Sequence, residues 1–296
     1  MDPAPILAVP GFSEPFSSCS HLLAAGAGLA GFAFLYGRGR GNALRVASLA
    51  VFTFSLVFLF SMSGVYHLLQ PGSTSRIVFE RLDHAAIWVL VAGTFTPIHV
   101  ILFRGFWRWG ILLLVWTIAI TGLVLKTVFF MGIPGWLGLA FYLGLGWMGV
   151  LSAWRLIKIY GRGSVELLFW GGVAYSVGAL LNIAGWPTLI PGVIGPHELF
   201  HVFVLVGAGL HWTFIHKWAV HPVLDDLVFE VRERSDSDYF AKAVGESIAV
   251  QAASREGLRL AIKEKIRARF HARMPPTSIS LLFVKEEVWS GFPPAA

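Results

Sequence analysis

The chain has 296 residues, of which 56% are hydrophobic and only 14% charged. Soluble domains carry roughly 25% charged residues, so this composition excludes an ordinary soluble globular enzyme and points to the membrane. The net charge of +6 belongs to membrane loops and is no argument for nucleic acid, while a single cysteine, Cys19, excludes an internal disulfide and any cysteine-built metal site.

The first residues, MDPAPILAVPGF, lack a basic n-region and a cleavage-site pattern, so no signal peptide is expected; residues 1–17 read as an N-terminal segment. Seven apolar stretches follow, each near the roughly 20 residues that a bilayer core requires. They fall at about 18–36, 43–69, 83–103, 107–129, 135–156, 165–185 and 197–218. Breakers or charges separate them: GRGRGN at 37–42, PGSTSR at 71–76, Arg104-Gly105, Ile133-Pro134-Gly135, GRGS at 161–164, and the run from Trp186-Pro187 to Gly195-Pro196. Trp107, Trp109, Trp136, Trp186 and Trp218 lie near span ends, as an interfacial belt would. The expected architecture is an all-α seven-transmembrane helix bundle over residues 18–220.

Loop charge predicts orientation. One side carries Arg76, Arg81 and Lys126; the other carries Arg38, Arg40, Arg45, Arg104, Arg108, Arg155, Lys158, Arg162 and Lys217. Nine against three places the C-terminal tail in the cytoplasm and the N-terminus outside.

Polar groups inside the spans are few, and intramembrane ionisable residues are expensive and usually functional. Ser63 and His67 lie four apart at the end of the second span. Asp83-His84 opens the third, and His197 and His201 lie four apart at the start of the seventh. Residues four apart share a helix face. Four spans separate the third span's start from the seventh's, so Ser63, His67, Asp83, His197 and His201 all fall on one membrane face.

A single histidine in such a bundle is usually a satisfied core residue, but three with an aspartate and a serine at one depth point to a metal. Three neutral imidazoles plus one carboxylate or water make a tetrahedral zinc set of the open type, which lowers a water's pKa to about 7. Asp83 is then placed to take the water's proton or orient the water, and Ser63 to hydrogen-bond an oxyanion or that carboxylate. His84 points about 100° away from Asp83 on a helix and is read as support for the site or as interfacial. His99 and His211 are read as structural, and His216 and His221 as interfacial. Residues 197–201 also match HExxH, in which Glu198 would be a protease base. That reading needs a distant carboxylate as third ligand, and this chain has no Asp-Gly pair to supply the usual one.

Three pieces together resemble the hemolysin III / progestin and adipoQ receptor family, within the superfamily that includes alkaline ceramidases. They are the SxxxH of residues 63–67, the DHxxIWxLxAGTFTP run of residues 83–97 and the HELFHVFVLxGxxLHW run of residues 197–212. The resemblance covers roughly residues 15–218. It implies a seven-helix bundle with intramembrane zinc held by His67, His197 and His201, with Asp83 and Ser63 beside it. It also implies a zinc-dependent hydrolase of a ceramide-like lipid amide or ester, active in membrane lipid homeostasis. The alternatives it leaves open are a non-enzymatic membrane sensor or receptor with structural zinc, and a pore-forming haemolysin. The animal receptor branch has its N-terminus in the cytoplasm, whereas the loop charges here predict the reverse.

Charge density rises after a boundary near His221-Pro222: the last 78 residues hold 11 basic and 11 acidic side chains. Residues 226–233, 239–244 and 247–252 alternate like strands, with a turn at Gly245. Residues 254–270 read as a helix capped by Ser254, with Leu258, Ile262 and Ile266 on one face, ended by Pro275-Pro276. A strand follows at 279–284. Residues 224–292 are thus expected to form a small α+β unit of order βββαβ. The runs YFAKAVGESIAVQAASREGLRLAIKEKIRARF and SISLLFVKEEVW are similar to HicB antitoxin-like domains. That similarity implies dimerisation or a protein partner; only a short segment follows the last strand, so DNA binding is not expected. The basic helix face of Lys263, Lys265, Arg267, Arg269 and Arg273 is read as solvated.

Overall fold

The computed structural model describes residues 6–220, 226–235, 238–244, 246–270, 276 and 278–284. It divides into two compact units, residues 1–222 and 223–296.

The first unit contains α1 (Pro15–Gly39), α2 (Ala43–Leu68), α3 (Thr74–Leu102), α4 (Gly105–Val128), α5 (Gly135–Trp147), α6 (Gly149–Tyr160), α7 (Glu166–Ala184) and α8 (Pro196–Trp218). Helices α5 and α6 together make one span of 26 residues, Gly135–Tyr160, so seven spans among the described residues are long and apolar enough to cross a membrane. With no water in a bilayer core, each backbone N–H and C=O must be paired within its own segment, which only a helix does for a single span.

Two spans differ most from the sequence reading, each for a local reason. Helix α3 starts at Thr74, because the Ser73 hydroxyl caps it by accepting from the Arg76 N–H at 3.2 Å. Asp83 therefore sits nine residues inside the helix rather than at its mouth. The fifth span is interrupted at Met148 within the glycine-rich run Gly144, Gly146, Gly149, a composition that weakens helix continuity.

Helix α3 is the central element: 78% of its apolar window is buried, against 22% for α1 and α4. Trp88, Phe95, Leu112, Val115 and Tyr142 form the core it shares with α4 and α5. Small residues let backbones approach closely, as membrane helix interfaces require. At Gly64 the Ser18 hydroxyl donates to the glycine carbonyl at 2.8 Å, and a Cβ there would meet Leu22 Cγ at 2.7 Å and its backbone N at 3.1 Å. Gly64→Ala is expected to destabilise the protein by about 1–3 kcal/mol, read as a lower melting temperature of the detergent-solubilised chain.

The histidines read as structural have local partners. His99 Nδ1–H donates to the Trp107 carbonyl, and Ser152 Oγ–H donates to His99 Nε2 at 2.9 Å, tying α3, α4 and α6 together. His211 donates to the Leu168 carbonyl at 3.2 Å, in a space Gly171 leaves open. His216 stacks on Trp212 with ring centroids 5.0 Å apart. His221 lies outside the described residues.

The second unit contains β1 (Asp226–Ser235), β2 (Asp238–Ala243), β3 (Ala249–Ala252), α9 (Arg255–Arg269) and β4 (Ser278–Val284). The sheet order is β3-β2-β1-β4, antiparallel except for the parallel β1–β4 pair, and α9 joins β3 to β4. Ser254 caps α9, its hydroxyl accepting from the Gly257 N–H at 3.0 Å. Leu258, Ile262 and Ile266 pack on Leu227, Phe229, Val231 and Ala241. Lys263, Lys265 and Arg267 are exposed, and Arg269 lies 4.0 Å from Glu246. Gly245, Pro275 and Arg273 lie outside the described residues.

Candidate metal centre

The last two turns of α2 carry Ser63 and His67, and the first turns of α8 carry His197 and His201. One nitrogen from each of His67, His197 and His201 lies within 4.8 Å of the other two, so these three residues can hold a metal ion. His67 and His201 are buried and His197 is half-buried.

Ring orientation makes the cluster more specific than proximity does. His67 Nδ1–H donates to the Glu14 carboxylate, and His197 Nδ1–H donates to Asn182 Oδ1 at 3.3 Å. Each neutral ring then has its one proton engaged on the outer side, which leaves Nε2 as a bare lone pair. The lone pairs of His67 and His197 face each other, their Nε2 atoms 3.3 Å apart, and His201 Nε2 lies 3.2 Å from His197 Nε2. Two acceptors at that distance repel unless a cation lies between them. Zinc–nitrogen bonds of about 2.0–2.1 Å at a tetrahedral angle would separate ligand nitrogens by about 3.3–3.4 Å. The spacing therefore fits a single small cation.

Asp83 enters from α3. Its neighbours include Ser63, His67, His84 and Glu80, so helix α3 brings a carboxylate and α2 a hydroxyl to the edge of the histidine cluster. His84 turns away: its Nδ1–H donates to the Glu80 carbonyl at 2.8 Å, and its ring meets Phe130 edge-on.

Glu198 is occupied by its own helix. One carboxylate oxygen accepts the Gly195 N–H at 3.0 Å, capping α8, and the other accepts from the Ser17 hydroxyl at 3.2 Å. The residue is 3% exposed, and the third nitrogen of the cluster comes from His67. Both facts run against the HExxH protease reading.

The sequence reading missed what the first helix contributes. Glu14 bonds His67 and Arg76, and His21 stacks flat on His201 with centroids 3.9 Å apart and planes 11° apart. A signal existed. Ser17, Ser18 and His21 form a buried polar strip on an apolar helix, which calls for a polar partner inside the bundle. Glu14 lies just outside the span. Burial raises its pKa, but His67 and Arg76 outweigh that and hold the carboxyl at about 2.

Seven membrane-crossing helices around converging imidazoles define a multi-pass integral membrane protein with a metal-competent intramembrane centre. Residues 12–212 match the family described as haemolysin-III related, and the chain belongs to that family. It is similar to the hemolysin-3 homolog of Bacillus subtilis (strain 168), 33% identical over 177 residues that make up 60% of this chain and 79% of the relative. It is also similar to hemolysin-3 of Bacillus cereus, 32% identical over 170 residues, or 57% of this chain and 74% of the relative. Both family match and centre lie in the first unit; β1 to β4 and α9 lie beyond the match.

Proposed function

We propose that the protein is a zinc-dependent intramembrane hydrolase of a ceramide-like lipid amide or ester, serving membrane lipid homeostasis. The observation that carries this reading is the convergence of three imidazole nitrogens, from His67, His197 and His201, with Asp83 and Ser63 at their edge. His67, His197 and His201 would hold the ion. Zinc in an open three-histidine site supplies Lewis acidity and lowers a water's pKa to about 7. Zinc is favoured because a nitrogen-only set with this spacing suits tetrahedral coordination.

The chain's own residues do the rest. Asp83 takes the proton from the attacking water and returns it to the leaving amine or alcohol. Ser63 Oγ–H steadies either Asp83 or the charge developing on the substrate carbonyl oxygen. The half-buried edge of His197 is the side from which a lipid carbonyl would approach. The assay is release of fatty acid from a defined ceramide in proteoliposomes of the full chain. Zinc-dependent release supports the reading; none from ceramides or simple acyl esters overturns it.

The names of the Bacillus relatives favour a second reading, a pore. Leakage of liposome contents that persists in His67→Ala would support it over hydrolysis. Loop charge supports a cytoplasmic C-terminus, and an alkaline phosphatase fused there is expected to be inactive; an active fusion reverses the orientation.

For residues 224–292 we read a HicB-like dimerisation or partner-docking unit. Its order βββαβ and the exposed apolar side chains of the edge strand β4, Leu282 and Phe283 among them, support that use.

A further inference from the structure

Glu14 stands at the N-cap position of α1, yet its side chain makes no capping bond. It turns the other way, onto the last turn of α2. Its backbone N–H donates to the carbonyl of His67 at 3.0 Å, and the Ser13 N–H donates to the carbonyl of Leu68 at 3.3 Å. These are terminal carbonyls of α2 with no partner inside their own helix, so the chain entering α1 caps α2. The Glu14 carboxylate then accepts Nδ1–H of the same His67. One residue thus grips both the backbone and the ring of one histidine.

The other carboxylate oxygen accepts from Arg76 Nη2 in the first turn of α3. Arg76 is itself fixed: Nη1 donates to the Leu69 carbonyl at 2.6 Å, and the guanidinium lies 4.6 Å from the Tyr66 ring centroid. The arrangement is a relay, Arg76–Glu14–His67, that ends in Nε2 facing the two histidines of α8.

We infer that Glu14 is a positioning residue for the metal centre. By accepting Nδ1–H it fixes the His67 tautomer with Nε2 bare, and it raises that nitrogen's basicity as a ligand. This rests on the metal reading of the histidine cluster. It adds that the entry to the first helix, which supplies no ligand, sets the affinity of the site. A carboxylate behind a ligating imidazole is worth about 10–100-fold in metal affinity.

The test is zinc affinity of the purified full chain against a competing chelator, with nitrogen NMR of the histidine rings in the zinc-free protein. Glu14→Ala is expected to weaken zinc binding about 10–100-fold and to let His67 take the other tautomer. Glu14→Gln keeps an acceptor without the charge, so it should retain the tautomer and fall between parent and alanine variant. Ser17→Ala, three residues on and bonded to Glu198 instead, should leave zinc affinity unchanged. If the parent binds no zinc, or His67→Ala binds it as well as the parent, the metal reading fails. If those two behave as required but Glu14→Ala binds zinc as tightly as the parent with the His67 tautomer unaltered, this inference alone is overturned.

Discussion

His67→Ala, His197→Ala and His201→Ala are each expected to reduce retained metal from about one ion per chain to background, since two imidazoles do not make a structural or open zinc set. Each ring supplies one nitrogen to a set that lies within 4.8 Å, with His197 Nε2 3.2–3.3 Å from the other two. A ligand bound only by the folded state stabilises it by about 2.7 kcal/mol at a hundred times its dissociation constant. Added zinc should therefore raise the melting temperature of the parent and leave those of the three variants unmoved. His84→Ala and His211→Ala are the contrast. Their rings are committed to the carbonyls of Glu80 and Leu168, so both should retain the ion. Elemental analysis of the purified chains reads all five, and a stoichiometric ion in any of the first three would break the cluster into coincidence.

Asp83→Asn is expected to lower lipid hydrolysis by about 10²–10⁴-fold, the usual contribution of a positioned general base, while the metal stays bound. The substitution preserves shape and a hydrogen-bonding side chain beside Ser63, and Asp83 is not one of the three converging nitrogen donors. Ser63→Ala should cost less, since only one hydrogen bond is removed. The measurement is fatty-acid release in proteoliposomes paired with metal content on the same preparations. Unchanged release in Asp83→Asn would remove the hydrolase mechanism and leave a metal-holding sensor.

The spans were legible because a bilayer demands long apolar helices, and hydropathy reports that demand residue by residue. Their ends were less so. Ser73 caps α3 ahead of a charged turn that hydropathy counts as loop, and the glycines around Met148 divide the fifth span without changing its apolar character. The histidine cluster was legible from two i,i+4 pairs and the parity of the spans. Glu14 was not, because its role depends on a backbone pairing between the entry to α1 and the end of α2, 53 residues away, which no periodicity encodes. His21 was overlooked for a similar reason: its stacking on His201 joins the first span to the last. Glu198 is the converse case, a pattern that the sequence reading sets aside. The HExxH pattern suggests a base, but the same carboxylate is what starts the helix. In the second unit, alternation and the Ser254 cap sufficed to give the order of strands and helix, since the unit's core is simply the inward face of each.

X-ray absorption at the metal edge of the purified, zinc-reconstituted chain addresses the shared cation most directly. The account predicts about one zinc per chain with a first shell containing three imidazole nitrogens at about 2.0–2.1 Å. A chain that takes up no ion, or an ion whose shell lacks imidazole, would contradict it.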